Sequence, residues 1–131
     1  HPAGPWMRFP AGAPADLFAH RTAFVRALAI NGLGVRFRRR CRARGIPGNS
    51  SFRGVRGFAN EAPYPQLMAL FLKGIDRGGL IMCHPGMADA ALRAVDPVTT
   101  AREEEFAFLA SDAFPALLRA YGCRLARFCE V

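Results

Sequence analysis

The sequence predicts an α/β fold built on a mainly parallel sheet of about four strands. Three observations carry that prediction. Short apolar or extended segments alternate with helical stripes along the chain, and such alternation implies βαβ units. The clearest strand, Leu80 to Cys83, is an apolar run that stops at His84-Pro85-Gly86. Pro85 lacks an N–H and Gly86 is conformationally free, so neither extends a ladder. The sequence holds no internal repeat and no low-complexity tract, which sets solenoid folds aside.

The elements follow in order. Pro5-Trp6-Met7-Arg8-Phe9-Pro10 is a short extended segment between prolines, which suit strand ends. Ala11 to Pro14 is a small-residue linker, and Asp16 is placed to cap the first helix. Leu17, Phe24, Ala27, Leu28 and Val35 give that helix an approximate stripe, with Gly32 and Gly34 weakening or dividing its middle. It should end at Gly45, ahead of Ile46-Pro47-Gly48. Asn49 to Gly54 suits a brief strand running into a loop. A second helix starts around Pro63 to Pro65, with Leu67, Leu70 and Phe71 as its apolar face, and ends before Gly74. After the Leu80–Cys83 strand, Thr100-Ala101-Arg102-Glu103 reads as a capping box opening a third helix. Ser111 and Pro115 restart a helix that closes at Gly122. Cys123 to Phe128 alternates in part and reads as a terminal strand. Four strands in an open sheet leave exposed edges, which another segment or a second copy of the chain would cover.

A chain of 131 residues, 51% hydrophobic and 21% charged, has the size and balance of one globular domain. No apolar stretch approaches the ~20 residues that span a bilayer, and no cleavable signal peptide is expected. The net charge is +8, yet every one of the eighteen basic residues except Lys73 is arginine. With abundant alanine, that bias fits a GC-rich coding sequence, and nucleic acid is not the expected partner. Cys41, Cys83, Cys123 and Cys129 form no C-x-x-C pair. Reduced thiols in a cytoplasmic protein are therefore expected, rather than a zinc site.

The candidates for chemistry are few. His84 sits where a strand ends and a loop begins, the edge at which α/β proteins gather their ligands. Spacing alone leaves it either a general acid or base or a turn histidine satisfied by backbone bonds. Arg102 and Glu105 share one face of the third helix. They are either a pair orienting His84 or a solvated surface ion pair. Arg36, Arg38, Arg39, Arg40, Arg42 and Arg44 cover most of a helix circumference, with Phe37, Cys41 and Ala43 between them. A nucleic-acid helix would look so, but stacking aromatics are missing, and a solvated helix end favours cations too. His20 reads as a surface or packing residue, and His1 is terminal.

The string Leu80-Ile81-Met82-Cys83-His84-Pro85-Gly86, then Asp89, Asp96-Pro97, Arg102-x-x-Glu105, Phe108-Leu109 and Ser111, resembles the C-terminal part of the YdjC-like (ChbG/HpnK) carbohydrate deacetylases. Upstream, Trp6-Met7-Arg8 resembles a family strand, and Asn49-x-x-Phe52-x-Gly54 resembles the loop before the His-Pro-Gly strand. The resemblance implies a distorted (β/α) barrel, here an incomplete half, with residues 1–131 forming a single α/β unit. It implies removal of acetyl groups from N-acetylated amino sugars, with His84 as the acid that protonates the departing amine. Arg102 and Glu105 would support it, and Arg8, Asn49 and Phe52 would bind substrate. A divalent metal, Mg or Zn, is implied for the full-length enzyme. Its aspartate and histidine ligands lie upstream of anything in this sequence, so no cofactor is expected in this chain and the chain alone is expected to be inactive. The rival readings are a non-catalytic assembly module that pairs its open edges in a homodimer, and an arginine-rich nucleic-acid binder.

Overall fold

In the computed structural model, which describes residues 5–10, 24–58 and 61–130, Phe52–Arg53 (β1) and Leu80–Ile81 (β2) pair in parallel. Phe52 lies opposite Leu80 and Arg53 opposite Ile81. The hydrogen bonding runs past both strand ends. Ser50 N–H donates to Gly78 C=O and Met82 N–H to Arg53 C=O. Gly54 sits at φ 90°, and a Cβ built there would come within 2.1 Å of the Met82 carbonyl oxygen. Only glycine lets the two backbones run this close.

The sheet is smaller than the sequence predicts. Two of the four expected strands form, and the described residues show no barrel. The Trp6 segment contributes a single parallel bridge, Met7 to Gly48, with Met7 N–H donating to Pro47 C=O at 2.9 Å. Pro5 and Pro10 bracket the segment and withhold the donors that a longer ladder needs. The expected strand at Leu125 is absent. Gly122 closes the preceding helix, and Phe128–Glu130 form a 3-10 turn instead. Arg127 N–H donates to the Glu130 carboxylate at 2.8 Å, a local bond that competes with ladder pairing. Leu125 is 71% exposed, so its alternation with Arg124 and Arg127 marks no buried face.

The chain divides into two compact units, His1–Gly57 with Ile75–Met82 and Ala126–Val131, and Phe58–Gly74 with Cys83–Leu125. The first holds the sheet and a long helix, α1 (Phe24–Arg42). That helix runs unbroken through Gly32 and Gly34, so the glycines do not divide it. It ends at Gly45 as expected, in a Schellman turn: Gly45 N–H donates to Arg42 C=O and Ile46 N–H to Cys41 C=O. Gly45 takes φ 67°, the left-handed angle that this turn requires. Asp16, Leu17, His20, His1 and the 11–14 linker lie outside the described residues. Phe9, Cys41 and Phe52 supply buried apolar side chains here. Phe9 meets Phe37 edge-on, and Trp6 stacks on Phe128 at 4.1 Å.

The second unit is helical. It comprises α2 (Tyr64–Leu72), α3 (Ala90–Val95), α4 (Thr99–Leu109) and α5 (Ala113–Ala120). The early proline at Pro65 needs no intrahelical N–H partner, which suits the first turn of α2. The buried stripe of α2 is Tyr64, Leu67, Met68, Phe71 and Leu72, the i, i+3, i+4, i+7, i+8 series of an amphipathic helix. Leu70 falls off that series and is 63% exposed, which corrects the face expected for it. Phe108 of α4 meets Tyr64 and Phe114 edge-on, each at 5.8 Å. The six-residue α3 escaped the sequence reading, although its cap was visible: Asp89 accepts from Leu92 N–H at 2.8 Å.

The expected capping box does not form. Helix α4 begins a residue before Thr100, at Thr99, and Val98 in the N-cap position offers no side-chain bond. Asp96 lies ahead of that cap and takes the Val98 N–H at 2.8 Å. At the far end, α5 closes at Gly122, as the sequence predicts, in a second Schellman turn with Cys123 N–H on Leu118 C=O.

Candidate active site at the His84 loop

After β2 and Met82, residues 83–89 have no regular secondary structure, so what holds His84 must come from elsewhere in the fold. It comes from α4. The Glu105 carboxylate accepts a hydrogen bond from the His84 backbone N–H. Arg102 Nη1 reaches the His84 carbonyl oxygen at 3.5 Å. Gly86 N–H donates to the Arg102 carbonyl at 3.2 Å, and Ala88 N–H to Glu103 Oε1 at 3.3 Å. The spacing of Arg102 and Glu105 puts both side chains on one face of α4. That face meets the histidine loop.

The sequence reading expected Arg102 and Glu105 to orient the imidazole. Their grip is on the main chain instead, one on each side of the His84 residue. Glu105 is 0% exposed, far from the solvated surface pair that was the alternative. A buried carboxylate is stable only where it is well hydrogen-bonded or paired, and the His84 amide is one such donor. Its negative charge also reaches Cys83. Burial first, and then Glu105, push the Cys83 thiol above its ordinary pKa, so this thiol is a poor nucleophile near neutrality.

The ring has its own surroundings. Phe58 meets the imidazole edge-on, with centroids 5.5 Å apart and planes at 77°. Phe58 itself takes φ 62°, a left-handed conformation unusual for a bulky residue and one that the surroundings must enforce. His84 Nδ1 is buried without a hydrogen-bond partner. Phe58, Asp96 and Glu103 were not picked out as site residues. No local pattern marks the first, and the other two act through contacts that only the fold makes.

Arg102 is anchored in turn. Its Nε and Nη2 both donate to Asp96 Oδ2, at 2.9 and 2.7 Å. The Val98 N–H, and then Arg102, hold the Asp96 carboxyl below the usual carboxylate range. Glu103 likewise pairs with Arg93 at 2.7 Å, in a more exposed position.

The other expected site residues lie in the first unit. Arg8 is exposed. Phe52 is buried in β1. Asn49 is buried, and its amide is engaged on the main chain: Oδ1 accepts from Phe9 N–H, and Nδ2 donates to the carbonyls of Phe9 and Ser51. Among the described residues, no three His, Cys, Asp or Glu side chains gather as a metal site. The described residues therefore offer no ligand set for the metal that the resemblance implies.

The arginine cluster occupies the last turns of α1, mostly exposed, where cations complement the helix dipole. Burial first, and then Arg42, lower the pKa of Arg38. Arg44 reaches back to the Arg40 carbonyl at 3.3 Å. Any binding of DNA or RNA here should be weak, indifferent to sequence and abolished by moderate salt, since the cluster offers phosphate contacts and little else. A salt titration of fluorescently labelled single- and double-stranded oligonucleotides checks this. Nanomolar affinity for one sequence at physiological salt would contradict it.

Residues 2–120 match the model of the family described as YdjC-like protein. The chain belongs to the YdjC-like family. The match runs through the extended Met7 segment, β1, β2, the His84 loop and α4, and ends at the last residue of α5. No curated protein and no solved structure matches the chain. Membership points to a carbohydrate deacetylase-related protein. Among the described residues, no helix is long and apolar enough to cross a membrane.

Proposed function

We propose that this chain is the C-terminal part of a YdjC-like carbohydrate deacetylase and supplies the general acid of amide hydrolysis on N-acetylated amino sugars. The observation that carries the reading is the placement of His84. It is an imidazole at the end of a parallel strand, with both of its main-chain groups met by one helix, in a chain of this family. Hydrolysis adds water to the acetyl carbon and then expels the amine. An amine anion is too basic to leave, so the nitrogen must take a proton as the C–N bond breaks. His84 donates that proton, and acetate and the free amino sugar are the products. The proton comes from the protonated ring, which is left as the neutral imidazole and takes a proton back from water.

Glu105 and Arg102 support the acid by fixing its main chain. In the first unit, Arg8 is the proposed substrate contact through its exposed guanidinium, with Phe52 and Asn49 building the segment beside it. Asn49 does so by holding the main chain of Phe9. The activation of water and any divalent metal belong to residues outside this sequence.

The test is acetate release from N-acetylglucosamine oligomers, measured on the full-length gene product and on the 131-residue chain. Release by the first and none by the second is expected. Turnover by the chain alone, or none by either across a panel of N-acetylated amino sugars, would overturn the reading.

A further inference from the structure

The four bonds that hold the His84 loop are unequal. The Glu105 contact is to a buried carboxylate, and Gly86 N–H on Arg102 C=O is an ordinary main-chain bond. The contact from Arg102 Nη1 to the His84 carbonyl is long, at 3.5 Å. It depends on where the guanidinium plane points. A long arginine side chain rotates freely unless something fixes its fork.

Asp96 is that fixture. One of its oxygens, Oδ2, takes both Nε and Nη2 of Arg102, which sets the plane of the guanidinium and leaves Nη1 toward His84. The other oxygen, Oδ1, takes the Val98 N–H, which ties the carboxylate to the start of α4. The carboxylate cannot swing without breaking that turn. Both partners are partly buried, with side-chain exposures of 28% for Arg102 and 21% for Asp96, so the pair is shielded more than a surface ion pair.

We propose that Asp96 is a positioning residue for His84, acting through Arg102 by fixing the guanidinium against the His84 carbonyl. This rests on the acid role of His84. Asp96 touches neither the imidazole nor its loop, so its effect passes through one named intermediary. A lysine at position 102 does not substitute, because a single ammonium has no fork to spread between two acceptors. The Asp96 carboxyl is held below its ordinary pKa, so the brace stays ionised across neutral pH and opens only as acid protonates Asp96.

The experiment uses the full-length protein with Asp96→Ala, Asp96→Asn, Arg102→Ala, Arg102→Lys and the Asp96→Ala/Arg102→Ala double variant. Two readouts are taken, steady-state kinetics and hydrogen exchange of individual backbone amides. Asp96→Ala should lower kcat by about 10- to 100-fold, the range that a small misplacement of a reacting group produces, with KM within about twofold. Asp96→Asn, which keeps an acceptor oxygen, should recover part of that loss. The double variant should be no worse than Arg102→Ala when the effect of Asp96 runs through the guanidinium, whereas an effect through its hold on the start of α4 would add to that loss. Exchange of the His84 and Gly86 amides should speed up in Asp96→Ala, while that of Leu92, capped by Asp89, stays unchanged.

Wild-type kcat in Asp96→Ala, or losses that multiply in the double variant, would overturn the proposal. Uniformly faster exchange across α3, α4 and α5 would also overturn it, by reducing Asp96 to a stability residue. If wild-type protein releases no acetate, the acid role of His84 fails. Local exchange at His84 and Gly86 then still decides whether Asp96 positions the loop.

Discussion

His84→Ala in the full-length protein should lower kcat for acetylated amino sugars by about 10²–10⁴-fold, the usual worth of a positioned proton transfer. KM should move little, because the lost interaction belongs to the transition state, where the amine nitrogen gathers charge. The loss should also depend on the leaving group. An acetyl ester of a nitrophenol departs as a stable anion and needs no proton, so its hydrolysis should fall far less in the variant. That contrast separates an acid from a residue that merely shapes the loop, since a collapsed loop would impair both substrates alike. The backbone grip of Glu105 and Arg102 favours a clean experiment, because they hold the His84 main chain and not its ring. Alanine keeps the N–H and the C=O. Near-normal turnover in His84→Ala, or equal losses on amide and ester, would leave this histidine a turn residue and remove the acid role from the chain.

What the sequence made legible follows from where its information is local. The parallel pairing of the Phe52 and Ile81 segments was readable because an apolar run ending in His-Pro-Gly is a strand end by its chemistry. The ends of α1 and α5 were readable at Gly45 and Gly122, since a left-handed cap favours glycine strongly. The terminal strand failed for the opposite reason. Alternation from Cys123 to Phe128 permits a strand but cannot supply a neighbour, and Arg127 and Glu130 found each other within one turn. The capping box failed because the helix begins at Thr99, which puts Thr100 inside it, and because Glu103 turns to Arg93 and the Ala88 N–H.

The candidate site divides in the same way. His84 was legible from its position and its family resemblance, and Arg102 and Glu105 from their shared helix face. What they touch was not. Helical spacing tells which side chains are neighbours on α4, but whether they meet a ring or a peptide group depends on how the 84–88 loop lies across the helix. Asp96 is six residues before Arg102, a separation with no helical meaning, so the hold of its Oδ2 on the guanidinium exists only in the folded chain.

Asn49→Ala should destabilise the chain by about 3 kcal/mol, a large change for one polar side chain. Asn49 is 2% exposed, and its amide satisfies three main-chain groups: the N–H and C=O of Phe9 and the C=O of Ser51. Truncation leaves these groups without that partner in a site closed to water, and each unsatisfied group costs about 1–3 kcal/mol, part of which relaxation recovers. The bonds also join the Met7–Phe9 segment to the entry of β1, a segment otherwise held to the sheet region by the single bridge at Met7 and Gly48. Trp6 lies at its start and is the only tryptophan in the sequence, so urea unfolding followed by Trp6 fluorescence reads the effect directly. Asn49→Asp sharpens the test. A carboxylate keeps the bond from Phe9 N–H but points a charged oxygen at two carbonyls, which raises its folded-state pKa above the unfolded value. A group shifted that way contributes stability below the unfolded pKa and loses it as pH rises through the folded one. Asn49→Asp should therefore be weakest at neutral pH and recover part of its stability in acid, where Asn49→Ala should show no such recovery. Transitions that match wild type in both variants would mean that the amide bonds of Asn49 add nothing beyond what water provides.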